Sequence, residues 1–254
     1  MGDSPSIAII GGSGFYRLHE AETQGQQDFI EQDTPYSNTP VNISIESVNG
    51  QTVFFLARHG EQHSLPPHRV NYRANLWALK QAGAQKIIAI NSVGAINTQL
   101  KPGQIAIPDQ LIDYTWGREH SFFDGLDSLN DHIDFTHPFS ESLRQIFIQQ
   151  AKALAIPLAE NACVACTQGP RLETAAEIRK LDKDGCDLVG MTLMPEAALA
   201  RELQIDYASI ALIVNLAAGL SETLISIDEI RKILSVGLAD VRKLLSASLP
   251  ALIE

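Results

Sequence analysis

Thr167-Gln168-Gly169-Pro170-Arg171-Leu172-Glu173-Thr174 follows directly on the apolar run Cys163-Val164-Ala165-Cys166, and it has a distant counterpart in Leu212-Ile213-Val214-Asn215. In each case a short apolar run ends in polar residues. In an α/β protein that is where a strand leaves the sheet and ligand chemistry begins. The first stretch delivers a carboxylate, Glu173, and the second a carboxamide, Asn215. A carboxylate accepts hydrogen bonds only, whereas an amide donates and accepts. Together they suit a ring that carries an N–H beside a carbonyl, as a 6-oxopurine does. A plainer reading stands beside this one, in which Glu173 caps a helix predicted over 174–180.

The same layout of strand and polar edge recurs along the chain. Ile7-Ala8-Ile9-Ile10 reads as a buried parallel strand that stops at Gly11-Gly12-Ser13-Gly14. Glycines there let backbone N–H groups approach an anion, and the Ser13 hydroxyl adds a donor; a purely structural turn is the alternative. The loop is not a dinucleotide fingerprint, because Arg17 occupies the last small position, and it lacks the Gly-Lys-Ser/Thr of a P-loop. Thr52-Val53-Phe54-Phe55-Leu56 predicts a strand feeding Arg58, His59 and His63, three donors suited to a dianion, or else a solvated polar loop. The spacing of Val70, Ala74, Trp77 and Ala78 predicts a helix over 70–81, stopped by Gly83. Ile87-Ile88-Ala89-Ile90 opens onto Asn91-Ser92-Val93-Gly94, and Ile105-Ala106-Ile107 forms a further short strand.

The stretch 115–138 is long for a connection and suggests a lid or a subunit contact. A helix over 138–154, a strand over 188–192, a helix with Pro195 in its first turn and a strand over 207–214 follow. Ser226-Ile227-Asp228-Glu229 reads as a capping box ahead of a long helix with Ile227, Ile230, Leu234, Leu238, Val241 and Leu245 on its inward face. Alternating strands and helices predict one α/β domain over 1–254, with a central mixed, mostly parallel twisted sheet, partly barrel-like and flanked by helices.

Composition narrows the function. A net charge of −11 over 254 residues disfavours nucleic acid or an anionic membrane as partner, while leaving room for a small anion in a local cluster of donors. No apolar run reaches the roughly 18 residues of a membrane span, and Met1-Gly2-Asp3-Ser4-Pro5 lacks a signal pattern, so a cytoplasmic location is expected. Cys163 and Cys166 form a C-x-x-C, but zinc needs about four ligands and no second pair has fitting spacing. The three cysteines are expected to be small buried strand residues, with no metal site.

Taken together, Ile9-Ile10-Gly11-Gly12-Ser13-Gly14, Leu56-Ala57-Arg58-His59-Gly60, Val70-Asn71-Tyr72-Arg73-Ala74-Asn75, Gly169-Pro170-Arg171, Gly190-Met191-Thr192 and Met194-Pro195-Glu196 resemble the trimeric purine nucleoside phosphorylases. This is the group that includes methylthioadenosine phosphorylase, and the likeness spans nearly the whole chain. The resemblance implies phosphorolysis: phosphate attacks C1′ of a nucleoside, the purine departs, and a ribose 1-phosphate remains. Phosphate is then a co-substrate and no cofactor is needed. By position, Ser13, Arg58, His59, Asn91, Ser92 and Thr192 would hold phosphate, Met191 would lie under the ribose, and His63 would lie near the sugar. His132 matches a residue that reaches the 5′ end of the sugar in a neighbouring subunit, and a homotrimer is implied.

The departures from methylthioadenosine phosphorylase have a direction. That enzyme's two aspartates correspond here to Asn215 and Ala217, and its serine to Glu173. Glu173 and Asn215 resemble the base-reading pair of 6-oxopurine phosphorylases, with Leu172, Leu216 and Ala217 adjoining. Around the 5′ end of the sugar, Ile227 stands where 6-oxopurine phosphorylases place a histidine, with Leu224 and Ile230 nearby. An apolar lining suits a methylthio group and leaves a hydroxyl without a partner. The expected substrate is 5′-methylthioinosine. Methylthioadenosine and inosine or guanosine are the alternatives within the class; a binder without turnover and a hydrolase are the alternatives outside it.

Overall fold

The computed structural model describes residues 6–15, 28–48, 50–123, 125 and 132–253, and within them one strand organises the rest. β1 (Ile7–Gly11), β2 (Asp28–Gln32), β3 (Val41–Val48) and β4 (Gln51–Ala57) precede it, and β5 itself is Lys86–Ala95. Isoleucines at 87, 88 and 90 favour extended backbone, and both faces of β5 are buried almost throughout. Its first half pairs in parallel with β1, and its whole length pairs in parallel with β11 (Asp206–Leu216). Its end, Gly94 and Ala95, pairs antiparallel with β10 (Leu188–Gly190). The sheet therefore forks at β5. One arm runs β1-β4-β3-β2; another runs through β10 to β9 (Cys163–Cys166) and β7 (Gln110–Asp113). β11 carries the short β6 (Ile105–Ala106) and β8 (Leu158–Ala159). Parallel ladders outnumber antiparallel ones, as expected, and among the described residues no ladder joins the ends of the arms into a ring.

The alternation of side chains along β1 sorts the two layers of helices. Ala8 and Ile10 share a buried cluster with Leu76 and Leu79 of α1 (Tyr72–Ala82) and Leu199 of α4 (Leu193–Glu202). Ile7 and Ile9 face the other side with Phe147 of α2 (Glu141–Ala153) and Leu238 and Val241 of α5 (Ile227–Ile253). α3 (Ala175–Lys183) covers a third, smaller cluster with Ile178 and Leu181. Each fully buried leucine or isoleucine contributes about 2 kcal/mol by leaving water. α5 approaches β11 closely at Gly237, where a Cβ would fall 2.7 Å from Leu212 Cδ1.

Local signals act largely as read. Gly83 stops α1 in the left-handed conformation, accepting no side-chain clash there, and Asn71 caps its start. In α4 the regular turns begin at Pro195 because Met194 is extended (φ −114°, ψ 136°). Two readings are corrected. The cap of α3 is Thr174, in a capping box with Glu177, so Glu173 is released from that duty. The box expected at 226–229 is only half made: the Glu229 N–H reaches Ser226 Oγ at 3.4 Å. Of the stretch 115–138, residues 124 and 126–131 lie outside the described residues, as does Arg17.

Candidate active site

The polar ends of β1, β4, β5, β9, β10 and β11 converge on a cavity of about 430 Å³. Its lining includes Ser13, Arg58, His59, His63, Ser92 and Thr192 together with Met191, Leu172, Glu173, Asn215 and Ala217. Strand ends that are far apart in sequence thus supply one site, as parallel sheets do at their carboxyl edges.

Arg58 follows β4 directly, and its backbone N–H is held by the Gly11 carbonyl at 3.0 Å. The side chain is 1% exposed. Its Nε and Nη2 donate to the two carboxylate oxygens of Glu196 at 2.7 and 2.8 Å, and Nη1 donates to the Ile90 carbonyl at 3.1 Å. Tyr207 Oη donates to the same carboxylate at 2.8 Å. Burial disfavours the guanidinium charge, but the Glu196 carboxylate outweighs it and Arg58 stays fully protonated. One N–H on each terminal nitrogen remains for a ligand. Gly12 makes room for this arrangement: a Cβ there would lie 2.6 Å from the Ile90 carbonyl oxygen and 2.9 Å from Arg58 Nη1.

His59 departs from its expected role as one of three donors. Burial, with the Arg58 charge beside it, depresses the imidazole to about 4, so it is neutral at pH 7. Nδ1 lies 2.8 Å from the Leu65 carbonyl, an acceptor, which places the hydrogen on Nδ1 and the lone pair on Nε2. Such a group accepts a hydrogen bond from a ligand O–H. His63 packs against it with ring centroids 4.7 Å apart, and its own pKa is lowered by burial.

Asn91, expected among the phosphate ligands, lies behind Thr192. It is buried and does not line the cavity; its Nδ2 donates to Thr192 Oγ1 at 2.8 Å and its Oδ1 accepts from Ser209 Oγ at 2.9 Å. Because Thr192 Oγ1 accepts from Asn91, the Thr192 hydroxyl keeps its own hydrogen for the cavity. Ser92 reaches back to the Ser13 carbonyl at 3.5 Å and ties the glycine loop to β5.

Glu173 and Asn215, expected to read the base, meet in the same lining. Thr167 Oγ1 donates to Glu173 Oε1 at 2.7 Å, which fixes the carboxylate while leaving its other oxygen unclaimed by that bond. Asn215 is turned inward by a bulge in β11: Ile213 pairs with Val93 and Asn215 with Gly94, so Val214 is the extra residue. One Asn215 amide hydrogen goes to the Leu216 carbonyl at 2.7 Å. The other, with Oδ1, stays available. Gly169, at φ +62°, lets the chain pass over Met191, whose Sδ would be 2.5 Å from a Cβ at that position.

The apolar lining near α5 differs in detail from expectation. Ile230 takes part, joined by Ile225 and Leu234, whereas Ile227 is 56% exposed and outside the lining. Ile227 opens α5 on an exposed turn, and Ile225, in the loop before it, lines the cavity. Leu224 is exposed, Leu216 packs against the α1–α4 cluster rather than the cavity, and His132 is exposed and away from the lining. Glu196 was not foreseen as a site residue, although an acid set in Met194-Pro195-Glu196-Ala197-Ala198-Leu199 carries the apolar surroundings of a buried, paired carboxylate. Cys166 is buried, with its Sγ accepting from the Met194 N–H at 3.2 Å. Among the described residues no cluster of His, Cys, Asp and Glu is arranged for a metal ion, and no helix is long and apolar enough to cross a membrane.

Comparison with known proteins finds relatives along nearly the whole chain. The model of the Phosphorylase superfamily matches residues 6–250. A probable S-methyl-5′-thioinosine phosphorylase of Pseudomonas syringae pv. tomato is 49% identical over 245 residues, spanning 96% of this chain and 98% of that one. The 6-oxopurine nucleoside phosphorylase of Pyrococcus furiosus is 42% identical over 251 residues, 97% and 92% of the two chains. Among solved structures, methylthioadenosine phosphorylase from Schistosoma mansoni in complex with adenine superposes with a TM-score of 0.88 at 30% identity, covering 98% and 92%.

Proposed function

The chain belongs to the Phosphorylase superfamily, and from that premise we propose that it is a purine nucleoside phosphorylase cleaving S-methyl-5′-thioinosine to hypoxanthine and 5-methylthioribose 1-phosphate. The observation that carries the choice of base is the presence of Glu173 and Asn215 in one lining with Arg58, His59 and Thr192. A carboxylate accepts from N1–H of hypoxanthine. Adenine has a bare lone pair at N1, which would face the carboxylate with no proton between them. The apolar Ile225, Ile230 and Leu234 in the same lining favour a thioether at the sugar's 5′ end over a hydroxyl.

In this reading Ser13, Ser92, Thr192 and the two remaining Arg58 donors hold phosphate. His59 Nε2 accepts the hydrogen of its P–OH. The C1′–N9 bond loosens first, its electrons flow into the purine, and a phosphate oxygen bonds to C1′. Monohydrogen phosphate brings the proton that hypoxanthine carries away, so charge and protons balance without another reactant. Asn215 donates to O6 and accepts from N7–H as the base gains charge. Met191 and His63 adjoin the sugar. A homotrimer, with His132 of one copy reaching the sugar of the next, and a cytoplasmic location complete the proposal. Release of hypoxanthine from methylthioinosine, followed by absorbance with and without phosphate, tests it: strict phosphate dependence is expected, and release without phosphate would identify a hydrolase instead.

A further inference from the structure

Arg118 stands in the stretch between β7 and α2, and its guanidinium is buried. Every acceptor it meets among the described residues is neutral. Nε donates to Gln168 Oε1 at 3.1 Å; Nη1 reaches the Met191 carbonyl at 2.9 Å, the Met194 carbonyl and Tyr72 Oη at 3.3 Å. Nη2 reaches the Gln168 and Thr167 carbonyls at 2.9 and 3.3 Å. The Tyr72 ring lies 5.5 Å from Cζ. All five N–H donors are engaged, on segments from the ends of β9 and β10, the start of α4 and α1.

Those segments build the nucleoside half of the cavity. Met191 lines it, and Thr167 holds Glu173 through its hydroxyl. A carbonyl that points at Arg118 keeps its lone pairs away from a purine gaining negative charge. We propose that Arg118 is a positioning residue for the reaction: one guanidinium sets the loop that carries Glu173 against the strand end that carries Met191. It also turns their peptide dipoles away from the leaving base. The stretch 115–138 thus acts at this point as an internal strut. A lysine cannot replace it, because a single ammonium offers three donors from one centre.

This inference rests on the phosphorolysis reading, and wild-type enzyme assayed alongside keeps the two apart: no phosphate-dependent cleavage in the wild type removes that reading, whereas a loss confined to variants concerns Arg118. Arg118→Ala and Arg118→Lys are measured for steady-state phosphorolysis of methylthioinosine, with thermal unfolding as the check on folding. Displacing the loop by about 1 Å is expected to lower kcat/KM for the nucleoside by about 10²-fold while the phosphate KM changes by less than about threefold. Free guanidinium, which fits the space left in Arg118→Ala, is expected to restore about tenfold, and methylammonium to restore nothing. Should Arg118→Ala fail to fold, Arg118→Lys decides by the same split between nucleoside and phosphate. Wild-type kcat/KM in a folded variant, equal losses towards both substrates, or a guanidinium effect on melting alone would overturn the proposal.

Discussion

Removing the Glu196 carboxylate should damage phosphate binding and stability together, and the structure gives the size of the stability loss. Arg58 and Glu196 are both 1% exposed at their side chains, 2.7 Å apart, and Tyr207 donates to the same carboxylate. In Glu196→Ala the guanidinium stays buried without its counter-charge, at a cost of about 3–5 kcal/mol. The stranded Tyr207 hydroxyl adds about 1–3 kcal/mol, less whatever water restores. The double variant Arg58→Met, Glu196→Met removes both charges and should recover most of the ~3–5 kcal/mol that the unpaired guanidinium costs, leaving the cost at Tyr207, since a buried ion pair and packed apolar side chains are often equivalent in free energy. Its phosphate KM should stay high, because the donors are gone. Urea unfolding gives the stabilities and initial rates against phosphate give the KM. If Glu196→Ala loses less than about 1 kcal/mol, or if the double variant binds phosphate as the wild type does, the pairing is incidental to the anion site.

Three further outcomes follow from the same geometry. Changing Glu173 to Ser, Asn215 to Asp and Ala217 to Asp together should move the ratio of kcat/KM values towards methylthioadenosine, while Asn215→Ala alone should lower kcat more than it weakens phosphate binding; side-by-side kinetics check both. His59 has a folded pKa of about 4 against 6.5 unfolded, so the unfolded chain binds the extra proton in between and stability falls as pH drops from 6.5 through 4. Its share is about 2–3 kcal/mol at pH 4.5 and nothing above pH 7.5. Relative to wild type, His59→Gln should therefore lose less stability between pH 7 and 4.5 by that amount in urea titrations.

How much of this was legible beforehand depended on how local each signal was. Ile7–Ile10 and Ile87–Ile90 announced buried strands because both faces of each are covered, and Gly83 announced the end of α1 because only a left-handed residue fits there. β2 was missed: Asp28-Phe29-Ile30-Glu31-Gln32 pairs on one side only and leaves most of its side chains exposed, so it has no clean alternation. The lining was in plain view wherever a polar side chain at a strand end faces the cavity itself, as with Arg58, Glu173 and Asn215. It was hidden wherever a residue acts through another. Asn91, expected to hold phosphate, donates to Thr192 at 2.8 Å; His59, expected to be a donor, has its protonation fixed by burial and the Leu65 carbonyl. Glu196 and Arg118 are decided by partners tens of residues away, which no spacing encodes. Ile225, in the loop just before α5, lines the cavity, while Ile227 opens the helix and is exposed.

The central claim is that a carboxylate and a carboxamide choose a 6-oxopurine while apolar side chains beside them choose a thioether. The direct test compares methylthioinosine, methylthioadenosine and inosine, each with saturating phosphate. The account predicts that kcat/KM for methylthioinosine exceeds that for methylthioadenosine by about 10⁴-fold and that for inosine by about 10–200-fold. Methylthioadenosine cleaved as well as methylthioinosine would contradict the reading of Glu173 and Asn215, and inosine cleaved as well would contradict the reading of Ile225, Ile230 and Leu234.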